Sequence, residues 1–136
     1  MGAVRVAVKL TNGSDEALVR TGELRPEDVR GCETEALVDT GSVETVIPVA
    51  VMKQLGLPSM DRISVKYADG RGELVDKAAP LMVYLLGRHA VGEALVLGDE
   101  VLIGQTILES MDLHIDCANQ RLIPNPKYPD RPTFRV

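Results

Sequence analysis

The stretch Ala36-Leu37-Val38-Asp39-Thr40-Gly41-Ser42 joins an apolar run to an acid, a hydroxyl, a glycine and a second hydroxyl. The apolar residues predict a strand, and Asp39 follows directly at its end. Because Gly41 has no side chain, another segment of backbone can approach the loop closely at this point. Two interpretations are open: an ordinary Asp-Thr-Gly turn that ends a strand, or a loop that presents a carboxylate for chemistry.

A second informative segment runs from Val101 to Leu108, where an apolar run is interrupted by Gly104. Val101 to Ile103 predicts a short buried strand, because all three residues are apolar. The apolar residues after Gly104 recur with helical spacing and predict a helical turn.

The third segment is Tyr67-Ala68-Asp69-Gly70-Arg71-Gly72, which follows a run of alternating apolar and polar residues. Asp-Gly between two such runs is a strong hairpin signal. A two-residue turn at Asp69-Gly70 sets Lys66 opposite Glu73 and Val65 opposite Leu74, and both pairs favour that register. The hairpin is either a plain surface feature or a mobile flap over a cleft, since Gly70 and Gly72 supply freedom to open and close.

In their order along the chain (the Asp39 loop, the Asp69-Gly70 hairpin and the segment around Gly104), the three segments resemble the retropepsin-like aspartic proteases, the retroviral-type, single-domain family, in its prokaryotic branch. The resemblance covers about residues 35 to 124 and includes one Asp-Thr-Gly, as in the dimeric members rather than the two-lobed ones. It implies an all-β acid-protease fold: a closed barrel or sandwich with one or two short helices. Residues 1–136 then form one domain.

The resemblance also implies roles for the residues of the loop. Asp39 is the expected catalytic residue, paired with Asp39 of a second copy in a homodimer. Thr40, Gly41, Ser42 and Gly104 support that dyad: the Gly41 amide and the Ser42 hydroxyl are expected to hydrogen-bond the Asp39 carboxylate. Gly104, with Leu102 and Ile103, packs behind the loop.

The flap of this family corresponds to the hairpin tip and implies a peptide or protein substrate. The residues expected to contact it are Tyr67, Ala68, Asp69, Gly70, Arg71 and Gly72. The expected activity is hydrolysis of peptide bonds by a water molecule that the Asp dyad activates, with no cofactor and no metal.

Composition limits the partners. The net charge of −5 argues against nucleic acid, because phosphate binding needs a basic surface. No apolar run approaches the roughly 20 residues that span a bilayer, and the N-terminal residues alternate too evenly for a signal peptide. We therefore expect no membrane partner and a cytoplasmic location. Aromatic residues make up 3% of the chain, so the core must be aliphatic.

Four side chains have the chemistry of zinc ligands: Cys32, Cys117, His89 and His114. None of them has the close spacing of paired ligands, so the sequence does not predict a zinc site. Nothing near either cysteine suggests a Cys/His nucleophile pair.

Elsewhere, the pattern predicts mostly strands, beginning with the alternation of Val4, Val6, Val8 and Leu10. Residues 11–30 form an insertion relative to the retropepsin pattern. In it, Ala17 to Val19 is read as a possible short strand and Pro26-Glu27-Asp28 as the start of a helical turn. Pro48 and Gly56 delimit a short helix between them.

The C-terminal segment, from about residue 124 to 136, contains four prolines. Proline cannot donate ladder hydrogen bonds, so we predict an extended arm that either lies along the domain or is loose. Retroviral enzymes interleave their chain ends at the dimer contact, and a proline-rich end points to a contact built differently.

Two rivals to the peptidase hypothesis remain. One is a non-catalytic dimerisation or peptide-binding module with the same fold, although such a module has no need of a buried Asp. The other is an unrelated small β-barrel that binds a small ligand, in which the order of the three segments is coincidental.

Overall fold

A computed structural model describes residues 3–136 as a mainly β protein with a closed six-stranded mixed barrel and three short helices. The helices are Gly13–Arg20 (α1), Val49–Leu55 (α2) and Gln105–Met111 (α3), and Pro26–Asp28 forms a 3-10 turn. The strands are Val4–Asn12 (β1), Gly31–Val38 (β2), Thr45–Ile47 (β3), Ser59–Lys66 (β4), Gly72–Leu85 (β5), Arg88–Val96 (β6), Val101–Ile103 (β7), Leu113–Asp116 (β8) and Arg121–Pro124 (β9).

The barrel strands follow the order β1-β2-β7-β3-β6-β5, and β5 closes the barrel by pairing with β1. The closing register runs from Lys9 opposite Tyr84 to Asn12 opposite Leu81. Strand β4 extends beyond the barrel by pairing with β5, and β8 and β9 form a separate antiparallel pair. The mainly β class is therefore confirmed, and of the barrel and the sandwich the structure has the closed barrel, with three short helices instead of the one or two expected.

The core is aliphatic, as the composition predicts. Leu10, Leu81 and Ile103 are fully buried inside the barrel, and Val4 and Val8 of β1 are also buried. The alternation along β1 is therefore that of a strand with one face on the core. Closure pairs the end of β1 with β5, so Lys9 to Thr11 have a strand on both sides.

Helix α1 corrects the expectation of a short strand at Ala17 to Val19. Asn12 caps the helix, because its side-chain oxygen accepts hydrogen bonds from the amides of Ser14 and Asp15. Acidic residues in the first turn and Arg20 in the last also suit the helix dipole. The short apolar triplet suggested a strand, but the cap and the charges decide the conformation.

Asp15 connects α1 to the segment that leads into β2. Its side chain is 8% exposed and lies 2.9 Å from the Arg30 Nε atom, and it also accepts hydrogen bonds from the Arg30 amide and Nη2. These hydrogen bonds, with the positive charge of Arg30, hold the pKa of Asp15 below its usual value despite burial.

We expect Asp15→Asn to lower the free energy of unfolding at pH 7 by about 1–2 kcal/mol, because a charged hydrogen-bond acceptor is lost. The loss stays in this range because Arg30 is partly exposed to solvent, which weakens the ion pair. The folded-state pKa of Asp15 is depressed, so its contribution exists above the unfolded value and disappears as the pH falls through the folded value. Urea unfolding should therefore separate variant and wild type at pH 7, and the difference should shrink as the pH falls below the unfolded pKa of about 3.9 and through the lower folded pKa. The matched control is Asp28→Asn, which breaks an exposed pair with Arg25 and should change stability by less than about 0.5 kcal/mol. If the difference in free energy of unfolding between Asp15→Asn and the wild type does not become smaller in acid, the ionised Asp15 carboxylate is not what stabilises this contact.

The proline-rich arm lies along the body of the protein. The buried side chain of Arg88 donates hydrogen bonds to the carbonyls of Asp112 and Tyr128, both at 2.9 Å. The Asp112 carboxylate in turn accepts hydrogen bonds from the Asn125 side chain and the Thr133 amide. The arm was predicted either to lie along the domain or to be loose, and in the structure it lies along the domain.

Among residues 3–136, no helix is both long enough and apolar enough to cross a membrane.

Candidate active-site loop

Asp39 stands where two neighbouring strands end together. Strands β2 and β7 run parallel, with Val38 opposite Ile103. The amide of Asp39 continues this pairing by donating a hydrogen bond of 3.0 Å to the carbonyl of Ile103. The carboxylate is therefore carried by a backbone that two strands of the barrel hold in place.

The loop then folds back on the Asp39 side chain. The Gly41 amide donates a hydrogen bond of 3.0 Å to Oδ1 of Asp39, which confirms the expected contact. The Ser42 amide donates to the Asp39 carbonyl at 3.2 Å and closes a turn. Asp39 is half-buried, whereas Thr40 and Gly41 are exposed. One carboxylate oxygen is thus held by the backbone, and the neighbouring face of the loop is open.

The Ser42 hydroxyl was expected to hydrogen-bond the Asp39 carboxylate, but it does not. It donates a hydrogen bond of 2.7 Å to the carbonyl of Glu44. A serine hydroxyl has one proton to donate, and here that proton stabilises the second half of the loop. Ser42 thus supports the loop that carries Asp39 and makes no hydrogen bond to Asp39 through its hydroxyl.

Gly104 lies directly behind the loop, as predicted. A Cβ atom at this position would lie 2.4 Å from the carbonyl oxygen of Glu44, so only glycine fits. The Gly104 amide donates a hydrogen bond of 3.1 Å to Oγ1 of Thr45, which is 1% exposed. Sequence reasoning missed Thr45, although a single hydroxyl at the start of an apolar strand was the available signal.

The first turn of α3 completes the support. The amides of Gln105 and Thr106 donate hydrogen bonds of 2.9 and 3.1 Å to the carbonyls of Ser42 and Val43. The first amides of a helix have no partner within the helix, and the loop carbonyls supply one here. The loop of residues 39–45 and the segment 103–106 therefore interlock by backbone hydrogen bonds, a link that residue types do not reveal.

Two grooves border the exposed Thr40. The first has a volume of about 310 Å³ and lies against α3 and β8; its other lining residues are Gln105, Leu108, Leu113, His114 and Ile115. The second, of about 140 Å³, lies between the barrel and the β8–β9 hairpin; its other lining residues are Ala3, Val4, Val38, Ile115, Cys117 and Gln120.

The predicted hairpin exists, but its register differs by one residue from the expected one. Val65 lies opposite Glu73 and Lys66 opposite Gly72, instead of Lys66 opposite Glu73. The Tyr67 amide donates to the Arg71 carbonyl at 2.8 Å, which leaves a three-residue loop. A third loop residue is accommodated when the last one adopts a left-handed conformation, as Gly70 does with φ +90°.

The hairpin tip brings together three of the predicted substrate-binding residues. Tyr67 donates a 2.6 Å hydrogen bond to Glu73, and this bond raises the pKa of the Tyr67 hydroxyl. Arg71 pairs with Asp69 at 2.6 Å, and its guanidinium lies 5.2 Å from the centre of the Tyr67 ring. Among residues 3–136, no hydrogen bond or ion pair connects this tip to the loop of Asp39.

Comparison with protein-family models and with curated proteins found no match for this chain. The functional inference therefore depends on the loop and on the contacts around it.

In the part of the chain that the structure describes, no three His, Cys, Asp or Glu side chains lie together in a way that could bind a metal ion. The arrangement instead presents one braced carboxylate beside an open surface. A single carboxylate cannot serve as general base and general acid at the same moment, so proton transfer in both directions needs a second group.

Proposed function

We propose that the protein is an aspartic endopeptidase of the retropepsin-like type, active as a homodimer. The observation that carries the proposal is the Asp-Thr-Gly loop itself. The loop begins at the end of β2, beside the parallel strand β7, and its Gly41 amide donates a hydrogen bond to the Asp39 carboxylate. Gly104 packs closely behind the loop, and the first amides of α3 donate hydrogen bonds to its carbonyls. A closed β-barrel with Asp39 at the end of an inner strand agrees with the acid-protease fold.

The braced loop suits a catalyst better than a plain turn. Catalytic groups work when surrounding contacts hold them in one geometry, and here the backbone on both sides of Asp39 is fixed. The exposed face at Thr40 and Gly41 leaves room for a second copy and for substrate.

The chemistry follows from two Asp39 carboxylates that face each other across a two-fold axis. Two acids at close range share one proton, as in the known dyads of aspartic proteases. The ionised member takes a proton from a water molecule as that water attacks the scissile carbonyl. The protonated member donates a hydrogen bond to the carbonyl oxygen and supplies the proton for the leaving amine.

The hairpin of β4 and β5 is the proposed flap. Its tip lies beyond Asp76, the residue at which β5 begins to pair with β6. The side-chain hydrogen bonds from Tyr67 to Glu73 and from Arg71 to Asp69 join residues of the hairpin itself and are exposed to solvent. A segment with few contacts to the body can move. We propose that it closes over an extended peptide and hydrogen-bonds the peptide backbone, while grooves beside the loop accept side chains.

The proposal predicts that the purified chain is a dimer at micromolar concentration and cleaves extended peptides at acidic to near-neutral pH. Light scattering measures the mass, and mass spectrometry of a mixed peptide library detects cleavage. Because water attacks directly, added hydroxylamine should not appear in the products, whereas an acyl-enzyme on Cys32 or Cys117 would transfer its acyl group to it. A dimer that binds peptides without cleaving them would instead support the binding module.

A further inference from the structure

Both grooves beside Thr40 lack acidic residues, lysine and arginine in their linings, and the smaller one also lacks histidine. This contrasts with the whole chain, of which charged residues make up 26%. Most of the lining of the smaller groove is apolar, with Thr40 and Gln120 as its polar members. The centres of protein–protein interfaces are depleted of charge in the same way.

The absence of charge favours a second copy of this chain as the occupant. In a two-fold contact the same patch meets itself, so a charge close to the axis would face its own copy, and a patch without charge avoids this repulsion. The groove also begins at Thr40, next to Asp39 in the chain. A copy that brings its own Asp39 near the first lies over the surface around Thr40, which this groove borders.

The proline-rich arm is not available for this contact in its observed position. Arg88 and Asp112 hold it through hydrogen bonds to Tyr128, Asn125 and Thr133, and none of these residues lines the groove. The groove is bordered instead by β8 and by the turn after it, which supply Ile115, Cys117 and Gln120.

We propose that the homodimer forms through the β8–β9 hairpin and the groove between it and the ends of β1 and β2, with the C-terminal arm left outside the contact. This inference rests on the proposed function, which requires two Asp39 residues at one site. It adds the surface by which they meet.

Cys117 offers a test that spares the fold, because it is exposed in the single chain and lines the groove. In the dimer, Cys117→Arg places an arginine from each copy in a contact whose groove lining has no Asp or Glu to pair with it. We expect a dissociation constant at least about 100-fold higher, since an unpaired charge buried in an interface opposes association strongly. The matched control is Ala50→Arg, at an exposed position of α2 that lines neither groove beside Thr40 and lies outside the β8–β9 hairpin, which should dimerise like the wild type.

Sedimentation equilibrium and peptide cleavage, measured on the same samples, separate the possible results. Loss of the dimer and of cleavage in Cys117→Arg alone, with both restored at high protein concentration, supports the inference. If Cys117→Arg dimerises and cleaves like the wild type, the interface lies elsewhere and the inference fails while the proposed function stands. A wild type that is monomeric at every concentration overturns both. A dimer that depends on Cys117 but never cleaves supports the surface and overturns the peptidase.

A second readout needs no substitution. Burial raises the pKa of the Cys32 thiol, so alkylation by iodoacetamide near neutral pH reports mainly on Cys117, and mass spectrometry of peptides distinguishes the two. Alkylation of Cys117 should slow as the dimer forms. A rate that is independent of protein concentration while the mass doubles would contradict the proposed surface.

Discussion

Replacing Asp39 with Asn is expected to abolish peptide hydrolysis while the barrel and the dimer persist. Asn keeps an oxygen that can accept the hydrogen bond of the Gly41 amide, so the loop keeps its geometry. An amide cannot take a proton from water, and we expect kcat to fall by at least about 10³-fold. Initial rates on one peptide substrate measure the effect, and urea unfolding checks that stability is preserved.

The matched control is Asp99→Asn, which removes a carboxylate from the exposed turn between β6 and β7 and should leave the rate unchanged. Dimerisation of Asp39→Asn should be as strong as in the wild type or stronger, because two carboxylates no longer face each other. If Asp39→Asn retains most of the activity, Asp39 is not the catalytic carboxylate and the proposed mechanism is wrong.

The second large effect is expected for Gly104→Ala, which should lower the free energy of unfolding by about 3 kcal/mol. The added methyl group would lie 2.4 Å from the carbonyl oxygen of Glu44 and 2.9 Å from the amide nitrogen of Thr45. Both are backbone atoms of the loop, which cannot rotate away as a side chain does. Cleavage should be lost as well, because relief of the clash moves the loop that carries Asp39.

The backbone of Gly104 has φ −88° and ψ 173°, an extended conformation that alanine adopts readily. The predicted cost is therefore steric and does not come from backbone strain. Gly72→Ala serves as the control, since its methyl group would have its nearest contact at 3.7 Å, with the carbonyl of Val65. Urea unfolding should show a change in the free energy of unfolding below about 0.5 kcal/mol for Gly72→Ala. An equally small change for Gly104→Ala would contradict the close contact between Gly104 and the Glu44 backbone.

Local sequence patterns predicted the elements that have a strong signal of their own. The alternation in β1, the apolar triplet of β7 and the Pro48 and Gly56 boundaries of α2 all correspond to observed elements. The hydrogen bond from Gly41 to Asp39 also spans two residues. The strands and the helix boundaries follow from neighbouring residue types, whereas the Gly41 contact was expected from the resemblance of the loop to a known family.

Helix α1 and the hairpin register show where local patterns mislead. In α1 the cap at Asn12 and the link from Asp15 to Arg30 outweigh the strand character of a short apolar triplet. In the hairpin, the register that was expected paired opposite charges, but the observed one pairs Ile63 with the buried Val75. Burial of apolar surface is worth more than an exposed ion pair, so the core decides the register.

By itself, the sequence determined the mainly β class, the positions of most strands and a single Asp-Thr-Gly at the end of one of them, and it left open whether the sheet forms a barrel or a sandwich. Only the tertiary structure decided which groups support that loop: Gly104 behind it, Thr45 beneath Gly104, and the first amides of α3. These partners lie about 60 residues from one another along the chain. Their meeting depends on the parallel pairing of β2 with β7, and a long-range pairing is set by the burial of the whole core, which no local pattern contains.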